Sequence, residues 1–131
     1  MVLDSSAVVA LLCMEAESTS LEMAIERSPR RLMSVASVLE TAIVMEGRFG
    51  PEGARELDLL IDRLRITLVP VDLEQLIWAR EAFHRFGKGR HRAALNYGDC
   101  FSYALAKWSN EPLLFLGGDF SQTDIGDART A

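Results

Sequence analysis

Four short stretches of this chain are apolar along nearly their whole length instead of at every second residue. They are Val2-Leu3, Arg31 to Ser34, Ile66 to Val71, and Leu113 to Leu116. A strand with one wet face alternates apolar and polar side chains, whereas a strand covered on both faces reads as a continuous run. Between these runs lie longer segments with helical spacing. Strands that alternate with helices make a parallel sheet with helices on both faces. The expected fold is therefore α/β, a three-layer α/β/α sandwich around a short parallel sheet. Pro70 removes a ladder donor and puts its strand at a sheet edge, while the fully apolar Val2-Leu3 and Leu113–Leu116 belong near the centre.

The helical segments can be bounded by their caps. Ser5 or Ser6 can cap a helix from Ala7 to about Met14. Thr19-x-x-Glu22 has the form of a capping box ahead of Leu21, Ala24 and Ile25. After Arg31–Ser34, the residues Val35, Val38, Leu39, Ala42 and Ile43 share one helical face that ends near Gly47 or Gly50. Pro51 restarts a helix with Leu57, Leu60, Ile61 and Leu64 in register. Asp72-x-x-Gln75 opens the next helix, which reaches about Phe86, and a basic loop follows from Gly87 to Arg92. The last long helix is expected from Cys100, with Asp99 as its cap, until Asn110 and Pro112 stop it. The tail from Asp127 is weakly specified. There is no linker, repeat or low-complexity stretch, so 1–131 is expected to be a single domain.

Composition narrows the class of function. With 131 residues and 49% apolar side chains, the chain can build a real core. It opens Met1-Val2-Leu3-Asp4 without a basic leader, and its longest clean apolar run, Ala7 to Met14, is too short to span a bilayer. A soluble cytoplasmic protein with no membrane contact is expected. The two cysteines, Cys13 and Cys100, fall in apolar helical patterns and are expected to be buried thiols, not a disulfide framework. With only His84 and His91 there is no zinc site of known spacing. A net charge of −5, from 19 acids against 14 bases, argues against nucleic-acid binding by charge alone. It does not exclude a nuclease whose acidic pocket is neutralised by a metal.

In open parallel sheets, ligands bind outside the carboxyl ends of the strands. Four acids fall where the chain should reach that edge. Asp4 ends the first strand, Glu40 lies in the second turn of the helix after the second, Asp99 heads its helix, and Asp119 follows the fourth strand by Gly117-Gly118. Singly, each has a plain structural explanation: turn residues for Asp4 and Asp119, a helix cap for Asp99, a solvated face for Glu40. But Glu40 is set among Leu39, Ala42, Ile43, Val44 and Met45, where a charge is costly without a partner. Carboxylates crowded at one edge repel unless a cation neutralises them. Hard oxygen donors of this kind select Mg²⁺ or Mn²⁺, which need only a few protein carboxylates and can polarise a phosphoryl oxygen and activate water.

The blocks Met1-Val2-Leu3-Asp4-Ser5-Ser6-Ala7, Ser37-Val38-Leu39-Glu40, Asn96 to Ala106, and Pro112 to Phe120 with Thr123-Asp124 together resemble the PIN-domain ribonucleases. Within them the chain resembles the VapC-like toxins of bacterial toxin–antitoxin pairs, over essentially its whole length. The resemblance implies a metal-dependent endoribonuclease. Asp4 and Asp99 would be the principal metal ligands, with Glu40 completing the pocket and Asp119 as the fourth carboxylate. Ser6 would orient Asp4 or a metal-bound water, and Thr123 and Asp124 would hold the loop that carries Asp119. The chain departs from the family pattern at Leu116, where many relatives carry a base, and at Gly118, where an acid or Asn is usual. Those departures bear on a second metal position more than on the fold. The resemblance also implies a small antitoxin partner, an RNA substrate and a homodimer.

Lys88, Arg90, His91 and Arg92 form the densest basic patch and shortly precede Asp99. They could contact RNA phosphates or be a solvated loop. Three other readings compete with the nuclease. A non-catalytic module of the same fold would use the acidic pocket only to bind a partner, but retention of all four carboxylates argues against it. A phospho-acceptor receiver would place its Asp after the third strand, where Asp72 is better explained as a helix cap. A haloacid-dehalogenase-type phosphatase would need Asp-x-Asp, and Ser6 stands in the third position.

Overall fold

The computed structural model describes residues 1–130. The chain runs β1 (Val2–Leu3), α1 (Ser5–Leu12), α2 (Ser18–Glu26), β2 (Leu32–Ser34), α3 (Val35–Phe49), α4 (Pro51–Arg63), β3 (Thr67–Val69), α5 (Leu73–Phe86), α6 (Tyr97–Ser109), β4 (Leu113–Leu114) and a 3₁₀ turn at Phe120–Gln122. The strands form one sheet in the order β3-β2-β1-β4, and every pairing is parallel.

Register explains why β1, β2 and β4 look apolar throughout, whereas β3, with Thr67 and Leu68 exposed, is not covered on both faces as its apolar run suggested. Val2 pairs with both Leu32 and Leu113, and Leu3 pairs with Leu114. Successive side chains on a strand point to opposite faces. Val2, Leu32 and Leu113 accordingly join a core with Phe86, Leu95, Tyr103 and Leu105 from the side of α5 and α6. Leu3, Met33 and Leu114 join Val8, Leu21, Ile25, Leu57 and Leu60 from α1, α2 and α4. Two cores on the two faces of one sheet make the expected three-layer sandwich. Each fully buried Leu among them adds about 1.5–3 kcal/mol relative to an exposed one. Among the described residues, no helix is long and apolar enough to cross a membrane.

The strand bearing Pro70 is indeed at an edge, with Pro70 itself just past Val69. Leu113–Leu116 is not central, as its apolar character suggested: β4 is the opposite edge, and only Leu113 and Leu114 belong to the ladder. Its outer side is closed by the C-terminal segment, since Leu113 N donates to Gly126 O and Ala128 N donates to Leu113 O, both at 2.9 Å. That segment, expected to be weakly specified from Asp127, is thus tied down, and Asp127 also accepts hydrogen bonds from Arg129.

Several helix starts differ from the sequence expectation. Asp4, not Ser5 or Ser6, caps α1, accepting from Ser6 N at 3.1 Å. The Thr19-x-x-Glu22 box does not form, because α2 begins at Ser18 with no side-chain cap. α6 begins at Tyr97, three residues before Cys100; Asn96 is its cap and Asp99 lies inside the first turn. Cys13 is half-buried where full burial was expected, whereas Cys100 is buried.

The largest departure is the orientation of α3. Its buried residues are Ser37, Thr41 and Met45, while Leu39 and Ile43 are 62% and 63% exposed. The small hydroxyl face lies against α6, where Ser37 Oγ meets Ser102 Oγ at 3.2 Å. Small side chains let the two helices approach closely and leave the apolar stripe of Val35, Leu39 and Ile43 facing outward. At its far end, Gly50, with φ of 68°, both terminates α3 and starts α4.

Candidate active site

Asp4 leaves the carboxyl end of β1 and is only 3% exposed. A buried carboxylate must be hydrogen-bonded, and this one is held by three donors. Oδ2 accepts from Ser6 N at 3.1 Å and Ser6 Oγ at 2.6 Å, and Oδ1 accepts from Ser102 Oγ at 2.5 Å. A carboxylate has about four lone-pair sites. Three are used, and the one left is on Oδ1. Ser6 Oγ in turn accepts from Leu116 N at 3.0 Å, which fixes the chain leaving β4 beside the start of α1. Ser6, expected to orient Asp4 or a metal-bound water, thus donates to the Asp4 carboxylate from both its backbone N–H and its hydroxyl.

Asp99 is the third residue of α6. It closes a capping box with Asn96: its own N–H donates to Asn96 Oδ1 at 2.9 Å, and its Oδ2 accepts from Asn96 N at 3.0 Å. Oδ1 accepts no hydrogen bond from the described residues. Burial first, and then the charges of Asp4, Asp119 and Glu40, raise the pKa of this carboxyl group to about 7 against the lowering effect of the Asn96 bond. Asp99 is thus not the N-cap of the plain reading but the partner of Asn96 inside the first turn, and its surroundings disfavour its charge.

Glu40 projects from α3 onto the first turn of α6. Its Oε1 accepts from Ser5 Oγ at 2.7 Å. Its carboxylate rests against the backbone of Gly98, where a Cβ would collide with Glu40 Oε2. A glycine directly before Asp99 is what lets this carboxylate reach the N-terminus of α6, where the helix dipole favours a negative charge.

Asp4, Glu40 and Asp99 line a single open cleft of about 420 Å³, with Ser5, Ser6 and Asn96 beside them. Asp119 does not line it. It stands exposed at the start of the 3₁₀ turn, with no side-chain cap bond, and acts on Asp99 only through its charge. Thr123 and Asp124 brace that turn. Thr123 Oγ1 donates to Phe120 O at 2.7 Å, and Asp124 accepts from Tyr103 at 2.8 Å, Lys107 at 2.8 Å and Arg85 at 3.3 Å. Burial opposes the charge on Asp124, but the bonds from Lys107 and Tyr103 outweigh it and hold the carboxyl below its ordinary value.

In the basic loop, Lys88, Arg90 and Arg92 are exposed, and the Arg90 guanidinium lies 5.4 Å from the centre of the Phe83 ring. His91 is built into the turn instead: its Nδ1 accepts from Ala93 N at 3.0 Å, and its ring stands edge-on to Phe86. Burial, and then the charge of Asp99, push the Cys100 thiol up to about 11, so it stays protonated and is no nucleophile.

Among the described residues, no three acid, histidine or cysteine side chains converge as a ready-made metal cage. The donor set still fits a hard divalent cation. Mg²⁺ and Mn²⁺ keep most of their waters and take one or two carboxylates. Here the open positions are Oδ1 of Asp4 and Oδ1 of Asp99, in an acidic cleft where, among the described residues, no ion pair neutralises either group.

The sequence reading passed over the hydroxyls of Ser5, Ser37 and Ser102, the cap Asn96, and Arg48 at the rim of the cleft. Helical spacing held a signal for two of them. Ser102 lies three residues after Asp99, and Ser37 three before Glu40, so each shares a helix face with its acid.

Comparison with known proteins shows the family and the fold. The PIN domain model matches residues 1–126. Ribonuclease VapC of Mycolicibacterium smegmatis is 58% identical over 125 residues, 95% of this chain and 97% of that one. Ribonuclease VapC30 of Mycobacterium tuberculosis is 57% identical over 125 residues, 95% of both chains. The crystal structure of Mycobacterium tuberculosis VapC20, described as a sarcin-ricin loop cleaving toxin, superposes with a TM-score of 0.77 at 18% identity and covers 95% of each chain. The chain belongs to the PIN-domain family, in its VapC ribonuclease branch.

Proposed function

We propose that this protein is an endoribonuclease toxin that hydrolyses RNA phosphodiester bonds with a bound Mg²⁺ or Mn²⁺, and that a cognate antitoxin holds it inactive. The observation that carries the reading is the meeting of Asp4, Glu40 and Asp99 in one cleft at the carboxyl edge of the sheet. The names of the relatives support the same activity.

Asp4 and Asp99 would hold the metal through their open Oδ1 atoms. When bound, the metal would polarise the scissile phosphoryl group and lower the pKa of an attacking water. Ser6 and Ser102 fix the direction of the Asp4 carboxylate. Glu40, oriented by the bond from Ser5 and lining the same cleft as Asp4 and Asp99, is suited to take the proton of the attacking water. Asp119 adds negative charge at the rim. Lys88, Arg90 and Arg92, with His91 shaping their loop, would meet RNA phosphates.

The antitoxin would place an Arg or Lys among the same carboxylates, since a guanidinium can satisfy them without metal. Its apolar residues have two grooves to fill among α1, α2 and α4. One, of about 430 Å³, is lined by Leu11, Leu12, Met14 and Leu59. The other, of about 290 Å³, is lined by Leu11, Ile25, Leu60 and Leu64. The exposed stripe of Val35, Leu39 and Ile43 suits a homodimer contact. An antitoxin-controlled ribonuclease acts in the cytoplasm.

The test is incubation of the purified protein with structured RNAs in Mg²⁺, Mn²⁺ or chelator, with product ends mapped. Cleavage at defined positions that needs the metal and is lost in Asp99→Asn is expected. Equal cleavage in chelator, or by Asp99→Asn, would refute the reading.

A further inference from the structure

The cleft does not stop at the carboxylates. α1 and α3 begin at the carboxyl ends of the adjacent parallel strands β1 and β2. One groove continues between them. Glu40, Val44 and Arg48 line it from α3, and Val9 and Glu15 from α1 and the turn after it. Glu40, Val44 and Arg48 are spaced i, i+4, i+8, so a single stripe of α3 forms that wall. An acid stands at its catalytic end, a small apolar side chain in the middle, and a cation at the far end.

Among the described residues, Arg48 is the only cation that lines this cleft. Among the described residues it forms no ion pair, although Glu15 lines the same groove. Its one polar contact is a long approach of 3.7 Å to the half-buried thiol of Cys13. A base near the end of α3 complements the helix dipole, but that role is satisfied anywhere around the last turn and does not require the face of the cleft. A polyanion entering a cleft of four carboxylates on a chain of net charge −5 needs a local cation to hold it.

We infer that the groove between α1 and α3 carries the RNA strand away from the scissile phosphate, and that Arg48 is a positioning residue that grips the phosphate of a neighbouring nucleotide. The inference rests on the ribonuclease reading and adds the direction of the strand. The guanidinium fork matches two phosphate oxygens. Val9 and Val44 supply an apolar floor for the sugar between the two phosphates. Eight residues of α3 span about 12 Å, and a stacked strand advances roughly 3.4 Å per nucleotide. The gripped phosphate therefore lies within about three nucleotides of the cut.

The experiment uses a cleavable oligoribonucleotide in which single phosphates are replaced, one at a time, by neutral methylphosphonates. For the parent protein, neutralising one position within about three nucleotides of the cut should raise KM roughly tenfold. Arg48→Gln should raise KM for the all-phosphate substrate by the same factor, with kcat within about twofold, and should be insensitive to that methylphosphonate. Arg48→Lys should recover part of the loss. Binding of uncut RNA is read in an Asp99→Asn background, where adding Arg48→Gln should flatten the salt dependence by about 0.7 in log–log slope, one phosphate contact on a single strand. Thermal melting should be unchanged, since Arg48 is exposed. An unaltered KM and salt slope, or methylphosphonate penalties equal in parent and Arg48→Gln, would overturn the inference. A parent that cleaves no RNA would refute the ribonuclease reading instead, and the binding arm would still decide the role of Arg48.

Discussion

Ser102 Oγ donates a 2.5 Å hydrogen bond to Asp4 Oδ1 across 98 positions of sequence, and both groups are buried. Asp4 sits at the end of the central strand and Ser102 one turn after Asp99, so this bond fixes the spacing between the two proposed metal ligands. Ser102→Ala leaves one oxygen of a buried carboxylate short of a partner, which should cost about 1–3 kcal/mol of stability. Because Asp4 would also lose its orientation, metal affinity or cleavage should fall roughly 10–100-fold. Denaturant melts and Mg²⁺ titrations of cleavage check both. Stability lost with an unchanged Mg²⁺ requirement would make the bond structural only.

Gly98 offers a cleaner separation of fold from function. A Cβ there meets the Glu40 carboxylate, which is the mobile end of a long side chain and can move aside. Gly98→Ala should therefore leave the fold intact or stabilise it by up to about 1 kcal/mol, because Ala is the better helix former. Cleavage should drop at least tenfold as Glu40 leaves the first turn of α6, an effect of the size that displacing a general base has on rate. Melting and kcat measured on the same preparation test this; kcat equal to the parent's would mean that the position of Glu40 is immaterial.

The architecture was legible because strands buried on both faces leave an unmistakable trace, and Val2-Leu3, Leu32-Met33 and Leu113-Leu114 divide residue by residue between two cores. The position of Asp4, Glu40 and Asp99 at one edge followed from that topology. The error over β4 came from equating apolar with central. Leu113 and Leu114 are buried because the segment 126–128 closes the outer side, and that pairing leaves no periodic signal. The error over α3 came from assuming that the apolar stripe of a helix is its buried face. Ser37 and Thr41 are inside because α3 packs closely on α6; of the expected stripe, Val38 and Ala42 pack against the core while Val35, Leu39 and Ile43 face outward, so periodicity placed the buried face only in part. The late start assigned to α6 came from treating Gly98 as a break, when Asn96-x-x-Asp99 already had capping-box spacing.

The basic loop yields a graded expectation. Lys88, Arg90 and Arg92 are exposed, while His91 is engaged by Ala93 N. Arg90→Ala with Arg92→Ala should weaken RNA binding and flatten its log–log salt slope by about 1.4, two phosphate contacts on a single strand. His91→Ala should instead act through the turn and leave that slope unchanged. Salt-dependent binding assays distinguish the two, and an unaltered slope in the double variant would return the loop to a purely solvated role.

The pKa of Asp99, raised to about 7, gives the metal-free protein a particular pH dependence. Its ordinary value is 3.8, so between about pH 4 and pH 7 the folded state binds a proton that the unfolded state does not. Stability must then fall as pH rises through that window, because ionising Asp99 in the fold works against burial and against Asp4, Asp119 and Glu40. With the partial exposure of the group discounted, the loss between pH 5 and pH 8 should be roughly 1–2 kcal/mol. Asp124 and Glu111, both held below their ordinary values, have the opposite sign but act only below about pH 4. Asp99→Asn keeps the box with Asn96 and removes the charge, so it should abolish the slope, leave the fold intact and eliminate cleavage. Saturating Mg²⁺ should flatten the slope in the parent, since a cation favours the ionised carboxylate. Denaturant midpoints at pH 5 and pH 8, in chelator and in Mg²⁺, measure all four cases. A parent in chelator that is no less stable at pH 8 than at pH 5 would show that Asp99 is not the strained acid of this cleft.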